Sequence, residues 1–175
     1  KVEAEGTAQA ILNRFYYHGG WSVPVALSPE VQRTVMEFYG LDRVPVIFNG
    51  VNLHRCIPKR SYGLGDTVSL LHIGRFDEQK THAGLLQAFA KLLKTHPNCC
   101  MNLLGDGHLR TEMEKYAREL GIGHAVHFLG NQADVHPYLH DADMFLLPSK
   151  YEGMPMTIID AMGTGLPIAA SRVGG

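Results

Sequence analysis

From Thr67 onward the chain alternates short apolar runs with segments of helical period, and this alternation constrains its fold more than any other feature. Strands are expected at Val68–Ile73, Cys99–Leu104, Val126–Leu129, Met144–Leu147 and Pro167–Ala170. Helices are expected from about Ala83 to Lys94, Leu109 to Leu120, Val135 to Leu139 and Met156 to Thr164. Leu85, Leu86, Phe89, Leu92 and Leu93 form one apolar stripe; Leu109, Met113, Tyr116, Ala117 and Leu120 form another. Apolar strands linked through amphipathic helices imply a parallel sheet buried on both faces, because each crossover lays its helix against the sheet. The expected fold class is therefore α/β, a Rossmann-like doubly wound domain over residues 67–175. It stops at Gly174-Gly175, where such a domain would usually continue, and is read as incomplete at its C-terminus.

Residues 1–48 have a different pattern. A helical stretch ends near Tyr17, Gly19 and Gly20 make a turn, and Val23–Leu27 and Val44–Phe48 are expected as strands. Between them Ser28 is a good N-cap, Pro29 suits a first turn, Val31, Val35, Phe38 and Tyr39 recur at helical spacing, and Gly40 suits the stop. Residues 49–66, rich in Asn, Pro, Gly, Lys and Arg without apolar period, read as a linker. On this division 1–48 is the tail of a preceding domain, most of which is missing.

Composition excludes several classes of function. Lys and Arg total 16 against 17 for Asp and Glu, so no basic excess favours a nucleic-acid partner. No apolar run approaches the roughly 18 residues of a bilayer crossing. The first residues lack a charged-then-apolar leader, although a piece of a longer chain could have lost one, and the expected location is cytoplasmic. Three cysteines, two of them adjacent at Cys99 and Cys100, make no disulfide framework and read as buried thiols. Ten histidines include one His-x-x-x-His pair, His136 and His140, but no Cys-x-x-Cys pair accompanies it to complete a metal cage, so neither a metal nor a cofactor is expected.

In open parallel sheets a ligand sits beyond the carboxyl ends of the strands, where strand order reverses; for the common order that is between the first and fourth strands. The privileged loops are then 74–80, with Arg75 and Lys80, and 148–155, with Glu152. The helix after the second loop starts with amides, including those of Met156 and Thr157, that have no intrahelical acceptor. Cations facing such amides suit a diphosphate. The alternative is that Arg75 and Lys80 are solvated charges in an acidic turn with Asp77 and Glu78. Asp160 lies one turn into the helix and leans toward its start, so Glu152 and Asp160 can reach one ligand, such as a sugar and a ribose flanking a phosphate. Asp160 also reads as a carboxylate placed by the helix dipole, which needs no ligand.

Gly74-Arg75 with Lys80, the run from Pro148 to Pro155, and Ala161-Met162-Gly163-Thr164-Gly165-Leu166-Pro167 resemble the retaining glycosyltransferases of the GT-B fold, of the group 1 type. Asn49-Gly50-Val51-Asn52 resembles the interdomain crossing of that family, and the likeness runs from about Val25 to the final residue. The resemblance implies that residues 67–175 are a donor-binding C-terminal domain for a nucleotide sugar, UDP-linked in preference to GDP-linked, and that 1–48 ends the acceptor domain. It implies that Arg75 and Lys80, with the Met156 and Thr157 amides, neutralise the donor diphosphate. Glu152 becomes the catalytic residue at the donor sugar, with Gly153 and Met154 presenting backbone to it. Asp160, where the family usually has Glu, binds the ribose, and Asn131 in Gly130-Asn131-Gln132 contacts the nucleobase. The implied reaction retains the anomeric configuration without a metal, and a family histidine near the anomeric centre belongs to the missing domain. The acceptor would be a glycan or lipid-linked glycan. The Glu-Gly-Met-Pro-Met segment is similar to bacterial enzymes of capsule and surface-polysaccharide synthesis, which allows peripheral association with the inner face of a membrane.

Asp141-Ala142-Asp143 imitates a metal-binding Asp-x-Asp but precedes the fourth strand, at the wrong end of the sheet. Gly105-Asp106-Gly107 follows the second strand and lacks the third glycine of a dinucleotide fingerprint. A glycosidase would need its two carboxylates flanking a scissile bond, not beside a cationic phosphate site. Two rivals remain: a non-catalytic nucleotide-binding module, and an epimerase or phosphorylase on the same fold.

Overall fold

The computed structural model describes residues 6–173 except Cys56 and Arg60, and of Leu53 only the backbone. The terminal Gly174-Gly175 and the third cysteine, Cys56, therefore lie outside the described residues, as do the first five positions. The chain divides into two compact units, one of residues 1–50, 151–155 and 173–175, the other of 51–150 and 156–172.

The larger unit is built on a five-stranded, wholly parallel sheet of order β3-β2-β1-β4-β5. Its strands are β1 (Val68–Ile73), β2 (Cys99–Leu104), β3 (Val126–Gly130), β4 (Met144–Leu147) and β5 (Ile168–Ala170). Order reverses between β1 and β4, which pair directly through Leu70–Met144 and Leu71–Phe145. Side chains alternate across a strand, so adjacent leucines serve opposite layers. Leu70 and Leu103 join the core formed with Leu86, Phe89, Met113 and Ala117, whereas Leu71 and Leu104 join that of Leu139, Phe145 and Ala161. Both faces are thus covered, as a doubly wound sheet requires. Truncating the fully buried Phe89 to Ala would cost about 3–5 kcal/mol.

In chain order the helices are α1 (Thr7–His18), α2 (Pro29–Tyr39), α3 (His82–Leu93), α4 (Arg110–Glu119), α5 (His136–Asp141) and α6 (Met156–Gly163). Leu53–Arg55 forms a single 3-10 turn within the stretch expected as irregular. The expected stripes face the core: Leu85, Leu86 and Phe89 of α3 and Met113 and Ala117 of α4 are buried. A register shift between Leu103 and Leu104 carries β3 on to Gly130, which turns away at φ 70° toward Asn131. No helix of the described residues is long and apolar enough to cross a membrane.

In the smaller unit α2 begins and ends as its sequence suggests. Ser28 Oγ accepts from the Val31 amide at 3.2 Å, and Gly40 closes the helix in the left-handed region at φ 67°. The two strands expected there, Val23–Leu27 and Val44–Phe48, do not form; the segments meet only at an isolated parallel bridge between Ala26 and Val46. Pro24 and Pro45 each remove a backbone donor, and a two-segment pairing without further strands is too short to extend.

Candidate functional site at the carboxyl edge of the sheet

The loop after β1 is fixed from both sides. Toward β2, Gly74 N donates to the Leu104 carbonyl at 3.0 Å and Phe76 N to the Asp106 carbonyl at 2.9 Å. Only a glycine fits at 105, where a Cβ would stand 2.0 Å from the Gly74 carbonyl oxygen and φ is 125°. Toward β4, the Lys150 amide donates to the Gln79 carbonyl at 2.8 Å, and the Thr81 hydroxyl donates to the Pro148 carbonyl. The loops after β1 and β4 are therefore joined at the switch point.

Asp77 organises the turn that carries the two cations. Its side chain accepts from the Gln79 and Lys80 amides at 3.1 and 3.3 Å and from Arg75 Nε at 2.7 Å. Burial pushes this carboxyl up, but the Arg75 hydrogen bond and charge and the two amides outweigh it and hold it below its ordinary value. Arg75 is thus paired with Asp77 inside the acidic turn. Its side chain nevertheless stays 73% exposed while that of Asp77 is 11% exposed, so the pair anchors the turn and leaves most of the guanidinium at the surface.

Beneath this turn lies a stack of rings. His82, the first residue of α3, lies parallel to Phe76 at 4.0 Å between ring centroids and edge-on to His72 at 4.8 Å. The Nδ1–H of His72 donates to the Leu146 carbonyl at 2.8 Å, which ties β1 to β4 by a side chain. His82 is buried, and its ring nitrogens have no hydrogen-bond partner among the described residues. Desolvation, aided by its neighbour His72, pulls its pKa down to about 3, so the ring is neutral at ordinary pH. Ser149, in the loop after β4, is also buried with its hydroxyl unpartnered among the described residues.

Of the residues singled out in the sequence, Arg75, Lys80, Met156, Thr157, Asp160 and Asn131 all follow carboxyl ends of strands in the larger unit. Arg75 and Asn131 line one cavity of about 350 Å³ together with Gly74, Gly105, Asp106 and Gln132. Met156, Thr157 and Asp160 are half-buried on α6, whose second residue is Thr157. Glu152, Gly153 and Met154 belong to the segment 151–155 of the smaller unit. There Asn49 holds Met154, through its amide to Sδ and its Nδ2 to the carbonyl, both at 3.2 Å.

Asp143 is structural: its carboxylate accepts from the Ser69 amide at 2.8 Å and lies 3.8 Å from Lys59, at the amino ends of β1 and β4. This agrees with setting the Asp-x-Asp pattern aside. Among the described residues there is no group of three or more His, Cys, Asp or Glu placed to hold a metal ion. Sequence reasoning missed Asp77 as organiser of the turn, the His82 stack, and Thr81. Thr81 is the one non-glycine described residue at positive φ, with φ 51° and ψ 41°. A β-branched residue in that region costs on the order of 1–3 kcal/mol, and no sequence signal announces it.

The family model for glycosyl transferases group 1 matches residues 59–175. The chain is 34% identical over 107 residues to the lipopolysaccharide core biosynthesis glycosyltransferase LpsE of Rhizobium meliloti, covering 61% of this chain and 30% of that protein. It is 26% identical over 155 residues to a glycogen synthase of Mycobacterium tuberculosis, covering 86% of this chain and 37% of that one. Among solved structures, Anabaena Alr3699/HepE in complex with UDP and glucose superimposes with a TM-score of 0.87 at 22% identity, over 100% of this chain and 51% of that one. The chain thus spans about a third of the two curated relatives and half of the solved one.

Proposed function

The chain belongs to the glycosyl transferases group 1 family, and from that premise we propose that it holds the nucleoside diphosphate of a sugar donor, UDP-linked, at the carboxyl edge of its sheet. The observation that carries the reading is the join at the switch point, where the loop bearing Arg75 and Lys80 is hydrogen-bonded to the loop leading into α6. Neutralisation of the diphosphate falls to Arg75, Lys80 and the first amides of α6, at Met156 and Thr157. Asp160 accepts from the ribose hydroxyls, and the base enters the cavity lined by Arg75 and Asn131. UDP bound to a similarly folded protein supports the choice of nucleotide.

In the whole protein, the proposed reaction moves a sugar from this donor to a glycan or lipid-linked glycan with retention at the anomeric carbon and without a metal. Departure of the diphosphate is the step these residues assist, because fixed cations and amides stabilise charge as it develops on the leaving oxygen. Glu152, with the backbone of Gly153 and Met154, contacts the transferred sugar. Residues 1–48 are the end of an acceptor domain and 49–66 the crossing to the donor domain. The setting is cytoplasmic, at the inner face of a membrane where surface polysaccharides are assembled. The relative LpsE, named for lipopolysaccharide core biosynthesis, supports that class of product.

A donor screen of the full protein with UDP- and GDP-sugars, with product linkage read by NMR, tests the reading. The expected product carries the donor's anomeric configuration and forms from a UDP-sugar in the presence of a chelator. An inverted product, or transfer only with added divalent metal, would overturn the mechanism.

A further inference from the structure

We propose that Thr81 is a positioning residue of the diphosphate site, setting the Lys80 turn against the loop after β4 through its left-handed backbone and its hydroxyl bond to the Pro148 carbonyl. The inference rests on the nucleotide reading above and adds to it a residue that neither the sequence pattern nor the turn's own charges single out.

Two features of Thr81 run against local stability. It adopts φ 51°, where a β-branched side chain is crowded by its own backbone. It stands at the N-cap of α3, where a threonine hydroxyl ordinarily accepts from a free helix amide, yet it makes no such cap. The hydroxyl instead donates across to Pro148. Around it the same seam leaves His82 and Ser149 buried with polar atoms unpartnered among the described residues. Strain and unmet polar groups persist where the surrounding structure over-determines them for a purpose, and here they concentrate between the two loops assigned to the diphosphate.

The geometry says what is gained. The Asp77 turn delivers Lys80 immediately before Thr81, and a left-handed residue at 81 lets α3 start at once, with the Thr81 carbonyl still accepting from the Leu85 amide at 3.2 Å. Lys80 is thereby held at the head of a rigid helix. With the Lys150–Gln79 bond at 2.8 Å, the Thr81–Pro148 bond makes a two-point seam, which fixes the rotation of one loop against the other where one bond alone would leave a pivot.

The test compares Thr81→Ser, Thr81→Val and Thr81→Gly by UDP titration calorimetry at a temperature well below each melting point. Ser keeps the hydroxyl and should bind within about twofold of wild type. Val keeps the shape and loses the bond, and should bind about tenfold more weakly. Gly relieves the backbone, so its melting temperature should equal or exceed that of wild type while its UDP affinity falls about tenfold. That opposition between stability and affinity is what a purely structural role would not produce. Wild-type affinity in either the Val or the Gly variant overturns the inference alone. A wild-type protein that does not bind UDP overturns the nucleotide reading and this inference with it.

Discussion

The backbone amide of Lys150 donates to the carbonyl of Gln79 at 2.8 Å, and this bond, together with that of the Thr81 hydroxyl to Pro148, ties the loop after β4 to the loop after β1. Because β1 and β4 are the neighbours at which strand order reverses, the bond sits where an open parallel sheet offers its ligand crevice. The residues it places on either side of that crevice set what can be tested.

The loop after β1 depends on close backbone contact with the loop after β2. In Gly105→Ala the new Cβ would fall 2.0 Å from the Gly74 carbonyl oxygen, a backbone atom that cannot swing aside, at a φ of 125°. Urea unfolding should show a loss of about 3 kcal/mol or more. A loss below about 1 kcal/mol would mean that the Gly74–Phe76 loop is not held against Gly105.

The buried His82 ring should make stability fall in mild acid. An unfolded histidine takes its proton near 6.5, whereas His82 in the folded chain takes one only near about 3. Between these values the unfolded state binds more protons, so this group's contribution is intact above about pH 6.5 and is lost as pH falls toward 3. Its slope approaches about 1.4 kcal/mol per pH unit. His82→Phe keeps a ring against Phe76 and should flatten the stability profile between pH 6 and 4 by about that slope. Parallel profiles for the two proteins would count against a neutral, buried His82.

Asp160 is one methylene shorter than the Glu usual in the resembled family, and its proposed partner is the ribose. Wild type should prefer UDP to 2′-deoxy-UDP by about tenfold, the worth of one hydrogen bond to a charged acceptor. Asp160→Ala should bind both nucleotides alike. If wild type already binds them equally, ribose recognition lies elsewhere.

Most of the sheet was legible because its physics is local. Leu70 and Leu71 are adjacent, both apolar, and serve opposite layers, which only a strand buried on both faces allows. Period and burial also announced the α3 and α4 stripes, and the β1–β4 switch point followed from a general rule of strand order. What was illegible depends on tertiary partners. Val23–Leu27 and Val44–Phe48 have strand composition, yet a strand needs neighbours, and Pro24 and Pro45 reduce what each could offer. Asp77 read only as one acid of an acidic turn, because the backbone amides it accepts from exist only once the turn has formed. Thr81 in the left-handed region contradicts its own propensity, which sequence reasoning can only miss.

The central claim is that Arg75 and Lys80 hold a diphosphate. Its most direct measurement is a calorimetric series of uridine, UMP and UDP on wild type, Arg75→Ala and Lys80→Ala. Wild type should bind UDP more tightly than UMP and UMP more tightly than uridine, and each variant should lose about 10- to 100-fold for UDP, with Lys80→Ala leaving uridine unchanged. Equal UDP affinity in wild type and both variants would contradict the account.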